Sequence, residues 1–262
     1  MTTIQNSIIV ITGASSGIGL STALLAARQG ATPVLLARSK EALHALAQKI
    51  RHEAPEVGFY TCDVTNISQI TTVVKEIIER YGRIDVWINN AGYGAFSLFT
   101  ETALEEIEGM MDVNYFGVVR CTKVVLPHML ERRSGHIVNV ASVAGKLATP
   151  KSSGYSASKF AVIGFTQSLR QELHGSGVSI SAVNPGPVQT PFFDRADPSG
   201  GYRRSIEKFM VTPEAVARTI LRTIHTHEAE AIIPRYMRAG VVLSHLFPRF
   251  FERVIAPLVN KK

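Results

Sequence analysis

Tyr155 and Lys159, four residues apart, are the side chains whose types and spacing point most directly to chemistry. On a helix that spacing puts both on one face. A phenol titrates near 10 in water, too high to exchange protons readily at neutrality, and a neighbouring ammonium favours the phenolate and lowers that value. Tyr155 is therefore expected to protonate a carbonyl oxygen, or to deprotonate an alcohol in the reverse direction. Ser142 closes an apolar run that reads as a strand. Its hydroxyl can donate to the same oxygen and stabilise the charge that builds there.

Such a proton transfer needs a partner that moves hydride, and the start of the chain offers a place for one. The run Thr12-Gly13-Ala14-Ser15-Ser16-Gly17-Ile18-Gly19 follows the β-branched segment Ile8 to Ile11 and precedes an alanine-rich helical stretch from Leu20 to Gln29. Gly13 allows a tight turn, Gly17 lets a pyrophosphate approach the backbone, and Gly19 lets the helix pack against the sheet. The helix N-terminus offers free N–H groups and a positive dipole end to phosphate. The second strand ends Leu36-Ala37-Arg38-Ser39. Ala37 stands where an NAD enzyme would place a carboxylate on the ribose hydroxyl, whereas Arg38 can pair with a 2′-phosphate, so NADP(H) is the expected cofactor. Ser15 and Ser39 can add hydroxyl donors.

The elements that must hold these residues alternate along the chain. Short uncharged runs at Ile8 to Ile11, Val34 to Leu36, Phe59 to Cys62, Val86 to Ile88, His136 to Val140, Val178 to Val183 and Ile232-Ile233 read as strands. Helical patterns lie between them, at Lys40 to Glu53, on a stripe of Ile67, Ile70, Val74, Ile77 and Tyr81, from Leu104 to Leu130, and from Tyr155 to Leu173. Thr212-Pro213-Glu214 opens a further helix, with a capping threonine and proline at its first position. Uncharged strands joined by helical crossovers predict one α/β domain over residues 1–262, a doubly wound, Rossmann-type parallel sheet of about seven strands with helices on both faces. Ligands are then expected at the carboxyl ends of the strands.

Net charge narrows the classes of partner. The formal charge of +7 is uneven, with twelve Lys/Arg against six Asp/Glu over residues 195–262 and near balance before them. A uniformly basic nucleic-acid binder is excluded by that distribution. Two cysteines, Cys62 and Cys121, supply neither a disulfide framework nor metal-ligand spacing and read as inert core residues, one in a strand and one in a helix. Residues Met1 to Asn6 lack a basic start, and no apolar run reaches the roughly 18 residues of a membrane span, so a cytoplasmic protein is expected.

In family order the chain carries the glycine loop, Asp63-Val64, Asn89-Asn90-Ala91-Gly92, Asn114, Ser142, Tyr155-Ser156-Ala157-Ser158-Lys159 and Pro185-Gly186. By these motifs it resembles the classical short-chain dehydrogenase/reductase family. The resemblance implies an oxidoreductase that interconverts a carbonyl and a secondary alcohol, with hydride carried at C4 of a nicotinamide. It implies that Lys159 also bonds the nicotinamide ribose and that Asn114 takes part in a water-linked proton relay to it. Asp63 and Val64 are implied near adenine, Asn90 near the adenosine ribose, and Val188 and Thr190 near the carboxamide. Ala91, Gly92, Pro185 and Gly186 are implied to border the cofactor, and Asn89 to tie the central strands together. Homodimers or homotetramers joined through long helices are usual in the family.

Residues 191–212 fall where the family carries a substrate lid, and Phe192, Phe193, Tyr202, Phe209 and Met210 suit an apolar substrate there. Tyr93, Phe96, Val143 and Leu147 follow strand ends and are expected to help line the pocket. His225-Thr226-His227-Glu228 lacks a third ligand, so it reads as a helix end and no metal is expected; Arg132-Arg133 also reads as a helix end. The basic, aromatic extension 235–262 lies outside every motif. Packing against the lid or a neighbouring subunit is favoured over docking on a membrane surface, because Pro248 and Pro257 interrupt a long amphipathic helix. Two other functions fit the same sequence: a dinucleotide-binding sensor or scaffold without turnover, and a membrane-surface reductase held by that extension.

Overall fold

The computed structural model describes residues 3–50, 56–197, 200–250 and 253. Seven strands, β1 (Ile8–Thr12), β2 (Thr32–Ala37), β3 (Gly58–Thr61), β4 (Val86–Asn89), β5 (Gly135–Val140), β6 (Val178–Pro185) and β7 (Glu230–Ile233), form one sheet in the order β3-β2-β1-β4-β5-β6-β7. Every pairing is parallel. The order reverses between β1 and β4, and a crevice opens there at the carboxyl ends of the strands. β1 shows no exposed residue and β4 is wholly buried, as expected for strands covered on both faces.

One face is covered by α1 (Gly17–Arg28), α2 (Lys40–Ile50) and α9 (Pro213–Thr226), with Ala23, Ala26, Leu43, Ile50, Ile220 and Ile224 against Ile9, Ile11 and Leu35. The other is covered by α3 (Ile67–Tyr81), α5 (Gly117–Glu131) and α6 (Ser153–Glu172), with Ile70, Val74, Ile77, Cys121, Val125 and Leu169 against Val10, Val34 and Trp87. Trp87 is fully buried and its indole N–H donates to Asn89 Oδ1 at 2.7 Å. Asn89 Nδ2 in turn donates to Asn139 Oδ1 at 2.8 Å, so Asn89 ties β4 to β5 as expected. Thr212 caps α9 by accepting the Ala215 N–H, ahead of Pro213.

Several sequence boundaries move. β3 ends at Thr61, so Cys62 lies just past the strand, buried, with its N–H donating to Ala37 O. Burial pushes its thiol up to about 11, in keeping with an inert side chain. Ile67 begins α3 but is half exposed and does not belong to the buried stripe. The expected helix from Leu104 to Leu130 is two helices, α4 (Leu104–Met111) and α5, joined by one π turn, Asp112–Phe116. The described residues of 191–212, expected from the sequence to form a lid, contribute α7 (Phe192–Ala196) and α8 (Gly201–Ile206), followed by a 3-10 turn to Phe209. The extension contributes α10 (Met237–Leu246), which ends before Pro248. Phe251 and Pro257 lie outside the described residues, as does the end of the helix expected to reach Glu53. His227 caps α9 and stacks on buried His136, ring centroids 4.9 Å apart. Among the described residues no helix is long and apolar enough to cross a membrane, and no group of three or more His, Cys, Asp or Glu is placed to hold a metal ion.

Candidate active site

The glycine loop takes the shape its residues allow. Gly13 and Gly17 have φ of +63° and +55°, a region that side chains with a Cβ rarely adopt. A Cβ on Gly19 would stand 2.5 Å from Gly13 O and 2.7 Å from Asn90 Nδ2, so only glycine lets α1 approach the loop this closely. Asn90 Nδ2 donates to Thr12 O and Gly13 O, and the Thr12 hydroxyl accepts the Asn90 and Ala91 N–H groups. The Asn90 side chain is thus committed to bracing the loop. Ser16 precedes α1 in extended conformation, and its side chain does not cap the helix. The first N–H groups of α1 therefore point to the cavity without a capping side chain, and no acid lies in that first turn. A cradle of this kind fits the pyrophosphate of a dinucleotide.

Beside it, β2 delivers Arg38 to the cavity rim, exposed and with no carboxylate at Ala37 to answer it. Ser39 turns the other way. Its hydroxyl bonds Glu41 and accepts the Ala42 N–H, so it serves the start of α2 and lies off the cavity. Asp63 and Val64 line the cavity, with Asp63 Oδ1 accepting from the Thr65 N–H and hydroxyl.

At the other end, β5 and the 3-10 turn Val143–Gly145 hold Ser142, whose Oγ donates to Pro185 O at 3.4 Å and accepts the Ala144 N–H. Tyr155 and Lys159 share the buried face of α6. Lys159 Nζ donates to Val140 O at 3.1 Å and lies 5.8 Å from the centre of the Tyr155 ring. Burial pushes the phenol up to about 12, partly offset by a hydrogen bond with Ser142. Desolvation of the phenolate is the dominant influence here, whereas the lowered value expected from the sequence rests on Lys159 together with an oxidised nicotinamide. Burial likewise pushes Lys159 down to about 8.

Asn114 sits in the π turn, completely buried. Its Oδ1 accepts the Tyr93 N–H, and its Nδ2 donates to Tyr93 O and Ser158 Oγ, each at 2.9 Å. A Cβ on Gly92 would lie 2.9 Å from Asn114 Oδ1 and 3.5 Å from Lys159 Nζ, so Gly92 keeps open the gap between them.

One cavity of about 810 Å³ gathers the expected residues: Gly13, Ser15, Ser16, Gly17, Ile18, Arg38, Asp63, Val64, Asn90, Ala91, Gly92, Ser142, Tyr155, Lys159, Pro185, Gly186, Val188 and Thr190. Gly19, Ser39 and Asn114 are the ones it leaves out: Gly19 and Asn114 stand behind its wall, and Ser39 lies outside it at the start of α2. Beyond Tyr155 the wall is aromatic. Phe96 stacks on Tyr202, centroids 4.5 Å apart, and on Phe193 at 6.0 Å, and meets the Tyr155 ring edge-on at 5.5 Å. Phe192, Phe209, Tyr93, Val143 and Leu147 line it too, whereas Met210 does not.

Two groups of wall and support residues belong to no motif. Tyr236, Met237 and Gly240 of the extension line the cavity; the cluster of motifs ends near residue 190, so only the aromatic and apolar character of 235–240 hints at them. Lys146, just after the Ser142 turn, pairs with Glu230 at 2.7 Å, and buried Asn184 donates to the same Glu230 oxygen at 2.5 Å. This strap joins the Ser142 turn to β6 and β7, and nothing in the spacing of the three residues announces it.

A doubly wound sheet whose glycine cradle opens onto a serine, a tyrosine and a lysine is the architecture of an oxidoreductase. The chain belongs to the short-chain dehydrogenase family, whose model matches residues 7–199. It is 37% identical to a 3-oxoacyl-[acyl-carrier-protein] reductase of Thermotoga maritima, a match covering 83% of this chain and 90% of that one. It is 33% identical to the dehydrogenase/reductase SDR family member 7B of Xenopus laevis over 99% of this chain and 84% of that one. Among solved structures, a Burkholderia phymatum short chain dehydrogenase/reductase in complex with NAD superposes with a TM-score of 0.88 at 28% identity, covering 94% of this chain and 95% of that one. A single-substitution variant of the actinorhodin polyketide ketoreductase with NADPH gives 0.81 at 33% identity, covering 89% of this chain and 97% of that one.

Proposed function

We propose that the protein is an NADP(H)-dependent oxidoreductase that interconverts a carbonyl and a secondary alcohol on a largely apolar substrate. The observation that carries this reading is the buried Tyr155 hydroxyl beside Ser142, at the inner end of an aromatic pocket continuous with the glycine cradle. When bound, the cofactor supplies hydride to a carbonyl carbon or accepts it from an alcohol.

The chain's own residues do the rest. Gly13, Ser15, Ser16, Gly17 and Ile18 hold the pyrophosphate through backbone N–H groups, with Gly19 letting α1 pack behind them, Arg38 holds the 2′-phosphate, and Asp63, Val64 and the Asn90–Gly92 segment border the adenosine half. Pro185, Gly186, Val188 and Thr190 border the nicotinamide half. Ser142 donates to the substrate oxygen and orients it. Tyr155 gives that oxygen its proton in reduction; a phenol pushed up to about 12 is fully protonated at neutrality and ready to do so. Lys159 holds positive charge beside the phenol and helps refill its proton. Asn114 fixes the Tyr93 backbone and Ser158, and so the alignment of α6.

Residues 191–212 act as the substrate lid, and exclusion of water by Phe96, Phe192, Phe193 and Tyr202 favours apolar carbonyl compounds. Exposed Phe116 and Phe160 on the helical side support a homodimer or homotetramer. The test is NADPH oxidation with a panel of apolar ketones and aldehydes, repeated with NADH. An Arg38→Ala variant is expected to raise KM for NADPH about tenfold or more, the loss of a charge-assisted bond, and to leave KM for NADH unchanged. Equal effects on both cofactors would refute the phosphate clamp, and no turnover of any carbonyl or alcohol would refute the enzyme.

A further inference from the structure

The cavity has a mouth, and the mouth is greasy and basic. Phe209 of the lid and Tyr236 at the start of α10 both line the cavity and are 49% and 59% exposed, which puts them at its rim. From Tyr236 the outer face of α10 continues through Ala239, Val242 and Leu246, spaced three, three and four residues apart, with Phe247 at its end. Leu246 and Phe247 are 66% and 58% exposed. The inner face of the same helix is used: Val241 is buried, and Met237 and Gly240 face the cavity. A helix with one face packed and a second apolar face turned to solvent has an unmet partner.

The charges around the stripe say which partner. Arg235, Arg238 and Arg249 flank it, all exposed, and none has a carboxylate partner among the described residues. Between Glu230 and Glu252 the chain carries no Asp or Glu at all. The lid across the mouth adds Arg204 and Lys208 against Glu207. Two copies of the chain meeting face to face through this stripe would bring arginine against arginine, with no acid in the segment to answer either. A surface of negative charge with an apolar layer beneath it satisfies both features at once.

We propose that α10 and its arginines dock the protein on an anionic lipid surface, with the rim of the cavity facing the membrane. Ala239, Val242, Leu246 and Phe247 enter the headgroup boundary, and Arg235, Arg238 and Arg249 meet lipid phosphates and carboxylates. The helix is only ten residues long, so the attachment is peripheral and reversible. Pro248 breaks a long amphipathic helix, but that objection loses its force because the short helix already presents the whole stripe. This docking does not depend on the reaction proposed above; with it, a lipid-soluble substrate reaches Tyr155 without crossing bulk water.

The experiment is co-sedimentation of the full chain with vesicles of phosphatidylcholine alone and of phosphatidylcholine with phosphatidylserine. Sedimentation with the second, released by salt, is the expected result. An Arg238→Gln/Arg249→Gln variant should bind more weakly by about fivefold for each arginine removed. A Val242→Ser/Leu246→Ser variant, which keeps the charge, should lose most of the remaining binding. These four side chains do not line the cavity and are exposed or half-exposed, so turnover of a water-soluble carbonyl in the absence of vesicles should be unchanged and reports that the variants fold. Failure to bind either vesicle overturns the proposal, as does equal binding to both. Self-association that the serine variant abolishes, without vesicle binding, overturns it in favour of a second copy of the chain.

Discussion

Tyr155→Phe removes one oxygen and little else. The Tyr155 ring packs edge-on against Phe96 at 5.5 Å and tilted against Phe192 at 5.6 Å, and phenylalanine keeps both contacts. What goes is the hydroxyl and its bond with Ser142, worth about 1 kcal/mol of stability, so Tm should move by only about 2–4 °C. Loss of a general acid costs roughly 10²–10⁴ in kcat, about 3–5 kcal/mol of barrier. Activity and stability therefore separate by several kcal/mol, which steady-state NADPH oxidation and thermal unfolding measure independently. A pH series sharpens the test on the wild-type protein. With the phenol pushed up to about 12, the donor stays protonated throughout the working range and by itself imposes no fall in reductive kcat/KM. The fall expected is the one that sets in as Lys159, pushed down to about 8, loses its charge. Full turnover in the Tyr155→Phe protein, or a loss that simply tracks unfolding, would refute the assignment.

Three further outcomes follow from the packing. Gly19→Ala places a methyl 2.5 Å from Gly13 O, so the loop must shift; a cost of about 1–3 kcal/mol in unfolding and at least a tenfold rise in cofactor KM are expected. His136 is fully buried and pushed down to about 3, chiefly by desolvation and then by His227. The unfolded chain takes up its proton near 6.5 and the folded one does not, so this contribution to stability is complete above 6.5 and falls as pH falls, by about 2 kcal/mol at pH 5. Urea unfolding from pH 5 to 8 measures it, and His136→Gln should flatten the curve. Glu230→Ala strands half-buried Lys146 and buried Asn184, and kcat should fall about tenfold while cofactor KM holds; an Asp at the same position should recover part of the loss, whereas a drop in Tm alone would point to a merely structural strap.

The parts of the molecule governed by local pattern were legible from the residues. Ile8 to Ile11 and Val86 to Ile88 are uncharged because they are covered on both faces, and that rule is visible in sequence. Gly13, Gly17 and Gly19 were legible because each answers a steric demand that no other residue meets. Burial is not recorded in spacing: Lys159 four residues from Tyr155 announces a charged partner, but not how deeply that face of α6 is buried. Asn90 and Ser39 carry side chains suited to sugar and phosphate, yet backbone carbonyls claim the Asn90 amide, and the Glu41 carboxylate and Ala42 N–H claim the Ser39 hydroxyl. The wall residues Tyr236 and Met237 and the Lys146–Glu230–Asn184 strap depend on contacts between distant segments, which no local pattern records.

The π turn at Asp112–Phe116 has a consequence for how this chain can change its length. The turn holds one residue more than an α-helical turn would, closing from the Gly117 N–H to Asp112 O. Within it Asn114 reaches Tyr93 and Ser158, and three residues on Gly117 packs so near Val64 that a Cβ there would lie 2.8 Å from Val64 Cγ2. One short segment is thereby in register with both ends of the cavity. Deleting a single residue would swing all of α5 by about 100° relative to α4. Cys121, Val125 and Met129 would leave the core, and Gly117 would leave Val64. A substitution at Gly117 or Asn114 disturbs one contact; a change of one in the residue count of the turn displaces the whole of α5.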